Sequence, residues 1–171
     1  MRLMQQVYIP KERVDELKKR KEFVERVEKE CSCSVKFGVG NYLDLVGDAY
    51  GEYTAKNILF AFGRGFDERT ALRLLEDKYY LSTIDLMQIF KNKNRMHEIK
   101  ARIIGVNGKT KRYIETVSSA HLSIYGGTVC IIGDMKAVHE AEAAIKTLIN
   151  GGSHRKAYER LEAQHRSDKS L

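Results

Sequence analysis

The sequence is poor in the residues that build metal sites, disulfide frameworks and membrane spans. Its 171 residues include only three cysteines, Cys31, Cys33 and Cys130. An odd number of cysteines, with no Cys-x-x-Cys pair and no histidine cluster at ligand spacing, argues against a zinc site and against a disulfide framework, and it fits a reducing compartment. No apolar run approaches the roughly 20 residues of a spanning helix, and the N-terminus has no signal-peptide core. We therefore expect a cytoplasmic protein that uses no membrane, metal or cofactor.

Residue patterns typical of catalysis are also missing. The five histidines are scattered, no carboxylate pair recurs at catalytic spacing, and no nucleophile has a base beside it in a motif. The sequence therefore predicts neither an enzyme nor a small-molecule substrate, and it favours a protein that acts by binding.

What the sequence does have is positive charge in a globular composition. Lys and Arg number 30 against 23 Asp and Glu, which gives a formal net charge of +7 and a pI of about 9.3. With 43% hydrophobic and 31% charged residues, the chain is expected to fold as one ordinary domain or as two small ones. The excess of cations predicts a polyanionic partner, but it does not distinguish RNA from DNA or from an acidic membrane surface.

Two halves of the chain repeat the same order of elements. In each half an opening strand, at 7–9 and at 79–84, precedes a helical pattern, two alternating strands and a closing helix. The matching positions, with the first turn one residue longer, pair Val27-Glu28 with Ile114-Glu115, Val35 with Leu122, Phe37 with Ile124, Val46-Gly47-Asp48 with Ile132-Gly133-Asp134, Ala55 with Ala141, Leu59 with Ile145, Phe62 with Leu148 and Gly65 with Gly151. The sequence therefore predicts a duplicated α+β unit.

One short loop in the second unit has the composition of a nucleic-acid clamp. Gly105 and Gly108 bracket Val106-Asn107, and between Lys91 and Arg112 the chain has eight cations and a single acid. Glycine lets the backbone approach a ligand closely, and amides at the mouth of a helix attract anions. A Gly-x-x-Gly loop in this setting is the device by which a K-homology (KH) domain clamps a single-stranded backbone.

Two other interpretations of the loop stay open. Gly108-Lys109-Thr110 is like the end of a phosphate-binding P-loop, but that motif needs a glycine where this chain has Ile103, and it should follow a strand rather than a helix. A glycine-containing helix–turn–helix with a solvated charged rim would need no ligand at all.

We expect a short single strand to lie in a groove between this loop and the strand Leu122–Tyr125. Loop amides over 106–109, with the cations Lys109 and Arg112, would hold the phosphates, and the strand backbone would read base edges. The floor of the groove would consist of Ile104, Ile114 and Ile124, which are also expected to be core residues. The predicted RNA-binding residues are Lys100, Arg102, Ile104, Gly105, Val106, Asn107, Gly108, Lys109, Thr110, Arg112, Ile124 and Tyr125.

The first unit lacks this loop. In the register of the repeat, Lys18-Lys19-Arg20-Lys21 lies opposite the Gly-x-x-Gly segment. The absence of glycine leaves open a single continuous helix there, because Leu17 and Val24 are a heptad apart on one face. Acidic residues surround the four cations, which favours a solvated helix face over a phosphate contact.

These patterns predict four segments. A first KH-like domain, degenerate and without the loop, covers 4–66, and an inter-domain helix covers 67–78. A second KH domain with an inserted short helix covers 79–152, and a C-terminal basic helix and tail cover 153–171.

With this organisation the sequence resembles the archaeal and eukaryotic partner-of-Nob-one family, tandem-KH factors of small-ribosomal-subunit assembly. The resemblance spans nearly the whole chain, and because the chain starts almost at its first strand we expect the archaeal form. The segments that carry it are Tyr8-Ile9-Pro10, Gly63-Arg64-Gly65-Phe66, Ala71-Leu72-Arg73-Leu74-Leu75, Ile84-Asp85-Leu86, Arg102-Ile103-Ile104-Gly105, Gly108-Lys109-Thr110, Ser123-Ile124-Tyr125-Gly126 and Ile131-Ile132-Gly133-Asp134.

The resemblance implies two tandem type-I KH domains, each β-α-α-β-β-α, with a three-stranded antiparallel sheet and helices packed on one face. It implies that the second domain holds RNA while the first serves mainly as a platform. The implied partners are single-stranded RNA at the 3′ end of small-subunit rRNA, the pre-ribosomal small subunit, and the Nob-type endonuclease that matures that end. Two alternatives stay open: a protein-interaction scaffold, and a KH protein that binds messenger RNA.

Overall fold

The computed structural model describes residues 4–170, and they divide into two compact units that meet in sequence at Asp77 and Lys78. The predicted C-terminal tail therefore reaches one residue, Leu171, that lies outside the described part. No helix within the described residues is long and apolar enough to cross a membrane.

The first unit is a three-stranded antiparallel sheet with helices packed against it. Its central strand, β3 (Tyr42–Gly47), alternates between buried leucines and more exposed residues, as a strand with one covered face should. It lies between β1 (Gln5–Tyr8) and β2 (Cys33–Phe37), so the strand order is β1-β3-β2. The elements are β1 (Gln5–Tyr8), α1 (Lys11–Lys19), α2 (Lys21–Cys31), β2 (Cys33–Phe37), β3 (Tyr42–Gly47), α3 (Ala49–Gly63), α4 (Glu68–Leu72) and a 3₁₀ turn (Arg73–Leu75).

The second unit repeats this order, with a short helix inserted after its first strand. In its sheet β6 (Thr128–Gly133) lies between β4 (Tyr80–Asp85) and β5 (His121–Tyr125), and this order, β4-β6-β5, is the arrangement of the first unit. The elements are β4 (Tyr80–Asp85), α5 (Leu86–Ile89), α6 (Lys93–Ile104), a 3₁₀ turn (Val106–Gly108), α7 (Lys109–Ser118), β5 (His121–Tyr125), β6 (Thr128–Gly133), α8 (Met135–Ile149) and α9 (His154–Asp168). The predicted α+β class and the β-α-α-β-β-α order are confirmed.

Matching side chains stabilise matching places in the two units. Glu28 on α2 accepts a hydrogen bond from the Val35 amide at 2.8 Å, and Glu115 on α7 accepts one from the Leu122 amide at 2.8 Å. Both amides belong to edge strands, so each carboxylate pairs a backbone donor that the sheet does not use. The closing helices are capped alike, because Asp48 and Asp134 each accept a bond from the amide three residues later.

The structure rules out the single continuous helix in the first unit. Helix α1 ends at Lys19 and α2 begins at Lys21, because Arg20 has a non-helical backbone with φ −102° and ψ 60°. The Arg20 guanidinium forms an ion pair with Glu68 at 2.7 Å, and the break lets Leu17 and Phe23 both turn into the core. Tertiary packing therefore overrides the helical periodicity of this segment.

The helix predicted over 67–78 is shorter than expected and is not a separate connector. It covers Glu68–Leu72 and ends in a 3₁₀ turn, and both pack on α3 within the first unit. Asp67 caps it by accepting a hydrogen bond from the Thr70 amide at 2.7 Å.

The C-terminal helix α9 docks on α7 and α8 and belongs to the core of the second unit. Ala157 and Leu161 are completely buried in that core. On the rim, Tyr113 donates a hydrogen bond to the Glu162 carboxylate, and this bond raises the pKa of Tyr113 to about 12. Farther along, His165 Nδ1 lies 3.1 Å from the buried Glu140 carboxylate.

Replacing Glu28 should test the edge-strand bond. We expect Glu28→Leu to lower the free energy of unfolding of the first unit by about 1–3 kcal/mol, because the Val35 amide loses a charged acceptor in a half-buried place. Glu28→Gln, whose amide oxygen can still accept, should retain most of the stability. Native-state hydrogen exchange measures each unit separately, and equal protection in the two variants would contradict this role.

Candidate nucleic-acid interface

The Gly-x-x-Gly segment forms a tight turn between α6 and α7 that only glycine can begin. Gly105 has φ 74° and ψ 173°, a combination that is essentially restricted to glycine. Asn107 and Gly108 follow in left-handed conformations with φ 53° and φ 73°. Asparagine tolerates that conformation better than most residues, so the chain reverses here without a strained bulky side chain.

Gly105 is also required by packing. A Cβ atom at this position would lie 2.2 Å from the Thr110 hydroxyl oxygen and 2.7 Å from the Thr110 amide nitrogen. Thr110 is buried and its hydroxyl accepts a bond from Tyr158 on α9 at 3.1 Å, so it cannot easily move away. By contrast, a Cβ at Gly108 would meet only the flexible Arg112 side chain, at 3.1 Å.

The outer surface of the turn is exposed and basic. Val106 is 82% exposed, and Asn107, Lys109 and Arg112 are also exposed. Gly108 is the N-cap of the ten-residue helix α7 and offers no side chain to cap it. The positive end of the helix dipole therefore meets solvent beside the lysine and the arginine, which suits an anionic ligand.

Two of the four amides expected to face phosphate are already used inside the turn. The Gly108 amide donates to the Gly105 carbonyl at 3.2 Å, and the Lys109 amide donates to the Val106 carbonyl. These bonds hold the turn in shape. Phosphate contacts from 106–109 would therefore come from the amides of Val106 and Asn107 and from the Lys109 side chain.

The two predicted arginines serve different purposes. Arg112 donates to the Asn107 carbonyl at 2.7 Å and so closes the turn from outside, while its exposed side chain stays at the basic surface. Arg102 points the other way: it donates to the carbonyls of Leu148 and Gly152, where α8 ends. The structure thus makes Arg102 a cap for that helix end rather than a residue of the loop surface.

The predicted floor of the groove is only partly accessible. Ile104 and Ile124 are half-buried, as a floor requires, but Ile114 is completely buried and belongs to the core. Lys100 on α6 and Tyr125 at the end of β5 are half-buried as well. The structure therefore brings the turn, Lys109 and Arg112 together. Ile114 is buried in the core, and the half-buried Arg102 is bonded to the end of α8.

A cavity of about 780 Å³ opens beside the turn on the side of α9. His154 and Tyr158 of α9 line it together with Ala101, Val106 and Lys109. The sequence predicts a basic C-terminal helix but does not place it at the Gly-x-x-Gly turn, because no local pattern specifies how a helix after Gly151-Gly152 docks.

The first unit has a smaller groove at the corresponding helix pair. It measures about 360 Å³ and is lined by Leu17, Lys18, Lys21, Val24, Glu25 and Phe37. Lys18 and Lys21 thus stand where the second unit has its two loop glycines. The Lys18 ammonium lies 5.8 Å from the centre of the Phe37 ring, so the groove of the first unit is bordered by a lysine and an aromatic side chain where the second unit has a glycine turn.

Comparison with known proteins identifies this architecture. A family model described as a eukaryotic-type KH domain (KH-domain type I), the second KH domain of PNO1, matches residues 80–166. The chain belongs to the partner-of-Nob-one (PNO1) family. The expected tandem type-I KH fold is therefore confirmed, and the residues that the family model covers contain the Gly-x-x-Gly turn, β5, and α9 up to residue 166.

Relatives and a solved structure place the chain with the archaeal members of the PNO1 family. A KH domain-containing protein of Methanocaldococcus jannaschii is 35% identical over 167 residues, which cover 94% of this chain and 74% of that protein. The pre-rRNA-processing protein PNO1 of Phaeosphaeria nodorum is 36% identical over 104 residues, 59% of this chain and 39% of that protein. The a/eIF2alpha-aDim2p-rRNA complex from Pyrococcus horikoshii contains a chain of 30% identity and TM-score 0.85, with 96% of this chain and 95% of that chain covered.

Within residues 4–170, no three His, Cys, Asp or Glu side chains lie close enough together to hold an ion. The three cysteines are buried, and burial raises the pKa of Cys31 to about 11.

The two loop glycines should differ in their tolerance of a side chain. We expect Gly105→Ala to lower the free energy of unfolding of the second unit by about 3 kcal/mol, since it combines a forbidden backbone with a clash against Thr110. Gly108→Ala should cost about 1 kcal/mol, because left-handed backbone is its main penalty. Urea unfolding followed by circular dichroism measures both, and equal losses would show that the Thr110 contact does not matter.

Proposed function

We propose that this chain binds single-stranded RNA from the 3′ region of small-subunit rRNA during assembly of the small ribosomal subunit. It would act in the cytoplasm as a binding protein, not an enzyme, and would cooperate there with the Nob-type endonuclease. The observation that carries the proposal is the exposed, basic Gly-x-x-Gly turn at the uncapped start of α7. The names of a pre-rRNA-processing relative and of a neighbour solved with rRNA support the choice of RNA.

The turn can hold a phosphodiester backbone because residues 105–108 contain no acidic side chain that would repel it. Gly105 and Gly108 let the strand approach the backbone, and the Lys109 ammonium and the helix dipole neutralise its charge. Arg112 keeps the Asn107 carbonyl turned away from the ligand by binding it at 2.7 Å. This arrangement recognises phosphate and therefore sets position rather than base sequence.

Base recognition would come from the edge strand β5. The Leu122 amide bonds to Glu115 rather than to β6, so Leu122 turns its polar backbone groups away from the sheet. Residues two apart on an antiparallel strand face the same way, so Ile124 also turns its amide and carbonyl outward. A base lying against the half-buried Ile124 side chain could pair with both groups.

Two aspartates in the turn should test the clamp. We expect Val106→Asp with Asn107→Asp to weaken binding of RNA from the small-subunit 3′ region by about tenfold or more, because two carboxylates would occupy the path of the phosphates. Both positions are exposed, and aspartate tolerates the left-handed conformation of residue 107, so the variant should fold. Fluorescence anisotropy with labelled RNA measures the affinity.

A charge-matched variant makes this experiment decisive. Met135→Asp with Ala163→Asp adds the same charge at exposed positions of α8 and α9 and should leave the affinity nearly unchanged. Unchanged affinity in the loop variant would support a protein-interaction scaffold instead. Equal affinity of the native chain for unrelated single strands, such as messenger RNA fragments, would keep the clamp and remove the ribosomal assignment.

Salt dependence should show how many phosphates the turn holds. If about four nucleotides are clamped, log K plotted against log salt should have a slope of about −3, since each single-strand phosphate releases roughly 0.7 counterions. Lys109→Ala should reduce the slope by about 0.7, whereas Lys146→Ala, an exposed lysine of α8, should leave it unchanged. If Lys109→Ala has the same slope as the native chain, the bound phosphates do not contact Lys109.

A further inference from the structure

The cavity between the Gly-x-x-Gly turn and α9 is distinct from the predicted groove. The internal repeat distinguishes the two sides of the helix pair. On the side of the predicted groove, Ile104 and Ile124 correspond to Leu17 and Phe37, and these two residues line the groove of the first unit. The α9 side of the same helix pair contains Ala101 and Thr110. Their matches in the first unit, Val14 and Phe23, are buried in its core. The second unit therefore has an open space where the first is filled.

The lining of this cavity suits a nucleotide. Lys109 and Arg112 stand at the turn, and among the described residues that line the cavity none is acidic. Arg102 also reaches it, but its guanidinium is held by two backbone carbonyls. Cations beside aromatic rings are the usual means of binding a single strand, and a volume of about 780 Å³ is within the range of ligand sites.

The two aromatic side chains of α9 are held in place before any ligand arrives. Tyr158 packs on Tyr113 with ring centres 4.2 Å apart, and its hydroxyl donates to Thr110 at 3.1 Å. His154 Nε2 donates to the Arg102 carbonyl at 2.9 Å. Both rings are therefore fixed against the loop, so a base that enters the cavity would meet an ordered wall rather than a mobile side chain.

We propose that this cavity binds one further nucleotide of the RNA strand, after the strand has passed the Gly-x-x-Gly turn. The proposal rests on the proposed function, because the RNA strand would have to pass the same turn to occupy the predicted groove on one side and the cavity on the other. It makes α9 part of the RNA surface and extends the footprint beyond the four nucleotides that the groove holds. Lys109 and Arg112 would lie at the junction and contact the phosphate between the two sides.

Binding of a short and a longer RNA should separate the cavity from the groove. The probes are a four-nucleotide RNA from the small-subunit 3′ region that the native chain binds, and two six-nucleotide RNAs that extend it at the 5′ or the 3′ side. We expect one of the two extensions to raise the affinity by about tenfold, the gain typical of one stacked base. Gain from neither extension would overturn the proposal.

A carboxylate at the cavity wall should remove that gain alone. Ala101 is exposed on α6, so Ala101→Glu should fold, and it would set a negative charge in the path of the added nucleotide. We expect the variant to bind both lengths with the affinity of the four-nucleotide RNA. Ala163→Glu, an exposed position of α9 outside this cavity, is the matched control and should behave as the native chain. Equal weakening of both lengths by Ala101→Glu, or no weakening, would overturn the proposal.

Fluorescence provides a second measurement that does not depend on affinity. The chain contains no tryptophan, so Ala101→Trp would introduce a single reporter in the cavity wall. The six-nucleotide RNA should quench it at saturation and the four-nucleotide RNA should not. If the double aspartate variant of the turn binds RNA normally, the proposed function fails. If that variant loses binding but the reporter responds alike to both lengths, only the cavity proposal fails.

Discussion

The contact between Gly105 and Thr110 is the constraint on which the rest of the second unit depends. A backbone conformation restricted to glycine lets α6 end and α7 begin within a few residues, and the absent side chain leaves room for a buried threonine. Because Thr110 is also bonded to Tyr158 of α9, one small contact sets the direction of three helices. The basic surface of the turn stays exposed because the buried Thr110 fixes the backbone on the inner side of the turn.

The two units show what the same framework becomes when this constraint is absent. Both retain the helix carboxylate that accepts a bond from the edge strand, the aspartate cap of the closing helix and the strand order. In the first unit a single non-helical residue, Arg20, separates the helices, and Lys18 and Lys21 occupy the place of the glycines. A duplicated fold can therefore preserve its sheet and core while the chemistry at the helix junction changes completely.

The sequence predicts the parts of the structure that local patterns determine. The repeat, the glycine turn and a helix after Gly152 all follow from spacing and composition. Two features could not be predicted, because each depends on residues far apart in sequence. Arg102 reaches carbonyls 46 and 50 residues away, and α9 docks at the turn. The break at Arg20 decides between the two alternatives that the sequence leaves open for this segment, since burial of Leu17 and Phe23 outweighs the periodicity of a continuous helix.

The two glutamates that bond to edge strands, Glu28 and Glu115, also affect whether copies of the protein can associate through those strands. A strand that reads a ligand through its backbone must leave that backbone unpaired, and an unpaired edge is a template for a strand from another molecule. In β5 the outward amide of Leu122 is occupied by Glu115, so only a short interval around Ile124 remains available. An incoming polypeptide cannot form a continuous ladder on so short an interval, whereas a nucleobase needs no more than one residue's pair of groups. The glutamate thereby discourages fibre-like association of copies while leaving the edge usable.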